Sequence, residues 1–124
     1  MKKRIGSLPV GFMLRWGQEI KNQEEKNMIK HIVCFKLAEP TQELLEKTKE
    51  ILLSMDGNVP LLKGIEVGVD FLKSERSYDI ILQVLLEDEA ALDAYQKDSY
   101  HCDVVKKHMH SVAESSIAVD YYIS

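Results

Sequence analysis

The stretch Tyr78–Leu86, YDIILQVLL, decides the fold of this chain. Extended, it puts Ile80, Leu82, Val84 and Leu86 on one face and Ile81 and Leu85 on the other, relieved only by Asp79 and Gln83. A strand with apolar groups on both faces belongs to a sheet that must be covered on both sides. Upstream, Ile65-Glu66-Val67-Gly68-Val69-Asp70-Phe71 alternates apolar and polar residues, and the polar link Lys73-Ser74-Glu75-Arg76-Ser77 joins the two runs as a hairpin.

Further towards the N-terminus, Met28–Leu37, MIKHIVCFKL, reads as a strand with Ile29, His31, Val33, Phe35 and Leu37 on one face and Lys30, Ile32, Cys34 and Lys36 on the other. Pro40-Thr41 opens a helix, with Thr41 as N-cap and a buried stripe of Leu44, Leu45, Thr48, Ile51, Leu52 and Met55. Asp56-Gly57-Asn58-Val59-Pro60 stops it. Downstream, Glu87-Asp88-Glu89 starts a second helix with Ala91, Leu92, Ala94 and Tyr95 facing inward, and Asp98-Ser99 interrupts it with a fresh cap. A third helix is expected from about Tyr100 to Val112. Ser115–Ile123, alternating Ile117, Val119 and Tyr121 against Ala118, Asp120 and Tyr122, closes the chain as a strand.

The order β-α-β-β-α-(α)-β predicts a ferredoxin-like α+β subunit in which helices cover one face of an antiparallel sheet. The other face is left bare although it is apolar, which predicts a homodimer built on it.

Composition narrows the function classes. The chain has 124 residues and a mass of 14.2 kDa, enough for one core and not for two ordinary domains. Its 16 Lys and Arg against 20 Asp and Glu give a net charge of −4, spread along the chain, so no basic surface is available for nucleic acid. No segment approaches the roughly twenty apolar residues of a membrane span. The basic start Met1-Lys2-Lys3-Arg4 precedes an apolar-leaning run that Pro9 and Arg15 break, with no small-residue cleavage site to make it a secretory signal. Cys34 and Cys102 lie in apolar periodic segments and read as reduced core residues. A cytoplasmic protein is expected.

Chemistry concentrates in Tyr95–His110, YQKDSYHCDVVKKHMH, which holds three of the four histidines. On an α-helix His101 and His108 stand about 10 Å apart along the axis and His108 and His110 about 200° apart around it, so they do not share a metal ion. No metal and no organic cofactor is expected. His101 falls on a stripe with Val104, Val105, His108, Met109 and Val112, so its ring points inward, where the positive helix end and desolvation favour the neutral, proton-accepting imidazole. It reads either as a general base or as a core histidine bonded to a backbone carbonyl. Tyr95 reads either as a proton donor beside it or as the last aromatic of an amphipathic helix with its hydroxyl at the rim. His31 is a polar group in an apolar row that needs a partner if buried, and is a candidate for the pocket wall. Cys102 adjoins His101, but adjacent helical side chains diverge by about 100°, which argues against a thiolate–imidazole pair.

The segment Met28–Leu37, the sequence Tyr78-Asp79-Ile80 before a strand that ends in Glu87-Asp88-Glu89-Ala90-Ala91-Leu92, and Tyr95 followed six residues later by His101 together resemble the stress-responsive A/B barrel (Dabb) family. The resemblance spans Met28 to about Tyr122 and implies two ferredoxin-like subunits packed sheet to sheet as a dimeric α/β barrel. Most members of the family have no established activity. One plant relative, olivetolic acid cyclase, closes a polyketide ring without metal or organic cofactor. By similarity, Tyr95 and His101 stand at its catalytic tyrosine and histidine, and His31 at a histidine that lines its cavity. Where the family shows His-Pro-x-His, this chain has Asp98-Ser99-Tyr100-His101, without the first histidine and the proline. Two functions are therefore expected to compete: a homodimeric module that binds a small apolar or carbonyl ligand, and a cofactor-independent enzyme that moves protons with Tyr95 and His101.

Residues 1–27 match nothing in that family. The run Gln23-Glu24-Glu25-Lys26-Asn27 is what a purine-rich ribosome-binding sequence would encode ahead of Met28, so this segment reads as a dispensable extension before a domain at 28–124. The competing reading is a short arm that docks through Phe12, Met13, Trp16 and Ile20.

Overall fold

The computed structural model describes residues 28–123, and both readings of residues 1–27 fall outside them. Strand β1 (Ile29–Leu37) leads to helix α1 (Gln42–Leu53), strands β2 (Gly64–Val69) and β3 (Ile80–Leu86), and helix α2 (Glu89–Lys97). A π-helical segment (His101–Lys106) then runs into helix α3 (Lys107–Val112), and strand β4 (Ala113–Tyr122) follows. The sheet order is β2-β3-β1-β4 and every neighbouring pair is antiparallel. This is the ferredoxin-like α+β arrangement.

Short polar side chains set the element boundaries. Thr41 caps α1 by accepting from the Leu44 amide at 3.2 Å, and Asp88 caps α2 by accepting from the Ala91 amide at 2.8 Å. Gly57 leaves α1 at φ 92°, a conformation that favours glycine. Asp79, the polar residue that precedes β3, ties it to β1: its amide donates to the Phe35 carbonyl oxygen at 2.8 Å and its carboxylate accepts from the Leu37 amide at 2.7 Å.

Register sorts the side chains. Ile29, His31, Val33 and Phe35 stand opposite Leu86, Val84, Leu82 and Ile80, and Ile65, Val67 and Val69 stand opposite Val84, Leu82 and Ile80, so all of them face the helices. On that side Ile65, Val67, Ile80, Leu82, Val84 and Leu86 form one core with Leu45, Leu52 and Met55 around α1 and with Tyr95, Val105 and Met109, and Thr48 of α1 is buried as well. Each fully buried aliphatic side chain contributes roughly 1.5–3 kcal/mol. Ile32, Cys34, Ile81, Ile117, Val119 and Tyr121 face the other way, where no helix among the described residues packs. Ile117 and Val119 are 50% and 59% exposed.

Four expectations need correction, the first being Ala94, expected to face inward on the second helix and exposed there. Val104 was placed on the buried stripe of the third helix, but the π turn widens the repeat, burial follows His101, Val105 and Met109 at intervals of four, and Val104 is exposed. Cys34 and Cys102 are free thiols, yet both are half-buried rather than in the core, Cys34 on the sheet face turned away from the described helices. Tyr78 and Asp79 precede β3 instead of belonging to it.

Candidate functional site

A half-open cavity of about 480 Å³ lies between β1, the start of β4 and the π segment. Val33, Phe35, Leu82, Val105 and Met109 give it apolar walls, and His31, Tyr95 and His101 also line it. The three candidate residues therefore meet in one place. They come from β1, the end of α2 and the first residue of the π segment.

His101 is held from two sides. Asp98, released from α2, accepts a hydrogen bond from the His101 amide at 2.9 Å and so starts the next helix. The ring nitrogen Nδ1 lies 3.0 Å from the Tyr95 carbonyl oxygen, an acceptor only, so Nδ1 carries the proton and donates. In the neutral ring Nε2 then carries a lone pair, with no partner among the described residues. Burial pushes the imidazole below its ordinary pKa and the nearby Lys106 charge presses the same way, against the upward pull of that carbonyl and of the Asp98 carboxylate. The bond to a backbone carbonyl foreseen for a core histidine is present, and it is made by a ring that also lines the cavity.

Tyr95 is placed differently from a proton donor. Its ring stacks on His101 with centroids 4.1 Å apart and planes 19° from parallel, and its edge meets His31 at 5.7 Å. The phenol is fully buried and donates to Met55 Sδ at 3.7 Å, away from the rim, and burial raises its pKa. Tyr95 thus supports both imidazoles through its ring and its carbonyl oxygen.

His31 finds the partner its burial demanded: Nδ1 bonds the Asp120 carboxylate across the β1–β4 register in which the two residues stand opposite each other. Sequence reasoning missed Asp120. The signal was available, because Asp120 is the only charged residue within the alternating part of the last strand, on the same face as Ala118 and Tyr122, and a buried histidine requires such a group.

The rest of the histidine-rich stretch disperses. His108 leaves the site altogether: its Nε2 accepts from the Thr48 hydroxyl at 2.8 Å, an acceptor role we assign because the hydroxyl has the proton to give, and burial lowers its pKa. His110 lies on the cavity wall nearer the start of β4. Cys102 turns to the Gln96 carbonyl oxygen at 3.4 Å and not to His101. Among the described residues no three His, Cys, Asp or Glu side chains converge as metal ligands.

Ala113, Glu114, Ser115 and Ser116 all line the cavity, which a regular strand with alternating side chains does not allow. The β1–β4 register slips here: Lys36 pairs with Ser115 and Leu37 with Ala113, leaving Glu114 as the extra residue of a bulge.

A ferredoxin-like subunit with a histidine-lined cavity on the helix side of its sheet is one class of small α+β protein, and comparison identifies the family within it. The profile of the stress responsive A/B barrel domain, Dabb, matches residues 29–123, and the chain belongs to that family. Among solved structures, a dimeric ferredoxin-like protein of unknown function from Bacteroides fragilis superposes with a TM-score of 0.69 at 25% identity, covering 78% of this chain and 97% of its own. A dimeric ferredoxin-like protein of unknown function from Thermobifida fusca gives 0.68 at 23% identity, covering 77% and 91%. The hydroxynitrile lyase of Passiflora edulis gives 0.69 at 12% identity, covering 80% and 95%, a likeness of fold alone. No curated protein matches the sequence. No helix among the described residues is long and apolar enough to cross a membrane.

Proposed function

We propose that this protein is a cytoplasmic homodimer, joined through the sheet face opposite the described helices as a dimeric α/β barrel, and that the cavity of each subunit binds a small apolar compound bearing a carbonyl group. Exposed Ile117, Val119 and Tyr121 on the bare face support the dimer, as do the dimeric descriptions of the B. fragilis and T. fusca proteins. Light scattering is expected to give twice the chain mass at micromolar concentration. A monomer would contradict the dimer.

One observation carries the reading of the cavity: His101 lines it with Nδ1–H fixed on a backbone carbonyl, and its Nε2 has no partner among the described residues, which leaves that nitrogen as the acceptor a ligand can use. A neutral imidazole so placed can take a proton from carbon next to a bound carbonyl and return it, with no cofactor in the step. His31, oriented by Asp120, presents its other ring nitrogen as a second polar contact on the same wall.

The experiment is exchange in D2O. Small ketones and aldehydes are incubated with the protein, and loss of the proton signal alpha to the carbonyl is followed by NMR. The wild type is expected to accelerate exchange of at least one compound, and His101→Gln to slow it by about 10² while the fold is kept. Equal rates in the two proteins would remove His101 as the base. A second reading, binding without turnover, is favoured by Tyr95, whose hydroxyl is spent on Met55 instead of facing the cavity. It predicts ligand-induced shifts of the His101 ring with no accelerated exchange.

A further inference from the structure

Lys106 gives the cavity wall a charge that the binding of a neutral carbonyl compound leaves unused. It closes the π segment that His101 opens, and both residues line the cavity. In an α-helix residues five apart point about 140° away from each other, which would send Lys106 to another side of the helix. The i→i+5 turn brings them onto one side.

The ammonium is held but not neutralised. Nζ donates to the Gln96 carbonyl oxygen at 3.1 Å, which occupies one of its three N–H groups. Among the described residues no carboxylate pairs with it, and Glu114, an acid on the same lining, is exposed and forms no ion pair. A half-buried cation beside an apolar cavity gains most from an anion that arrives with the ligand. Its charge also weighs against a second positive charge on His101, which keeps the acceptor nitrogen free.

We propose that the ligand is an oxo acid: its carboxylate sits on Lys106, and its carbonyl group with the adjoining carbon lies towards His101 and His31. The inference rests on the cavity being a carbonyl site and narrows the class of compound it takes. Lys106 is the residue that selects the anion.

The test uses the full chain and two probes with one skeleton, 4-oxopentanoate and its methyl ester, titrated while the His101 ring signals are followed by NMR. The acid is expected to bind about tenfold more tightly than the ester. In Lys106→Met the ratio should fall to near one with ester affinity kept, and in Lys106→Arg the preference should persist. Equal binding of the two probes by the wild type, or a preference that survives in Lys106→Met, would overturn the inference while leaving the carbonyl site standing. If neither probe moves the His101 signals, the carbonyl site itself falls, and the inference with it.

Discussion

The helix α1 and the helical stretch 99–112 both pack on the same sheet, and they are built to different rules. In α1 the buried residues Leu45, Thr48 and Leu52 follow the i, i+3, i+4 spacing of a regular helix and pack into the core with Met55. The second stretch begins with a π turn, buries residues at intervals of four, and leaves a cavity beside them. Regularity goes with packing here, and the irregular turn goes with the cavity-lining imidazole and with an ammonium that no carboxylate among the described residues neutralises. π turns are rare and concentrate at functional sites for this reason: widening the repeat brings together side chains that an α-helix keeps apart.

The contrast can be broken by substitution. Leu52 is fully buried among regular neighbours, so Leu52→Ala should cost about 2–5 kcal/mol in urea unfolding, through lost burial and the void it leaves. A cost below about 1 kcal/mol would show that α1 is not the packed element described.

A pH series sharpens the comparison at intermediate size. His101 and His108 both have lowered imidazole pKa values, with burial the first cause of each. Below about pH 6.5 the unfolded chain takes up protons at these positions that the folded chain resists. Stability is therefore complete above that pH and declines as pH falls from it towards the folded-state values. Unfolding midpoints measured from pH 7.5 down to 5 should decrease, and the decrease should shrink when His108 is replaced by Gln, which keeps a group able to bond Thr48. A midpoint that rises on acidification would contradict the assignment of a neutral ring to His101 and to His108.

The smallest effect tests the register of the π segment. Val104 faces water in this structure, so Val104→Ser should change stability by no more than about 0.5 kcal/mol. Had the stretch kept the α repeat, the same change would empty a core position and cost more than about 1 kcal/mol.

Much of the fold was legible because its signals are local. The alternation of Tyr78–Leu86, the Thr41 and Asp88 caps and the stripe of α1 each depend on residues within a few positions of one another, and each element formed close to its expected bounds. Meeting of His31, Tyr95 and His101 was legible only through the family resemblance, since the three lie on separate elements. What stayed hidden depends on distant or subtle geometry. The His31–Asp120 bond spans 89 positions of sequence and requires the β1–β4 register. Nothing in HCDVVK announces a π turn, and without it Lys106 reads as one more solvated lysine and Val104 as core. The direction of the Tyr95 hydroxyl depends on where Met55 ends up, which no spacing reveals.

The central claim is that His101 is a neutral base with its proton on Nδ1 and its lone pair turned to the cavity. It is tested most directly by long-range nitrogen–proton NMR correlation of the histidine rings at pH 7.5, with His101→Gln used to assign the signals. The account predicts a neutral His101 ring with a protonated Nδ1 and a bare, pyridine-like Nε2. A ring protonated at Nε2 instead, or at both nitrogens, would contradict it.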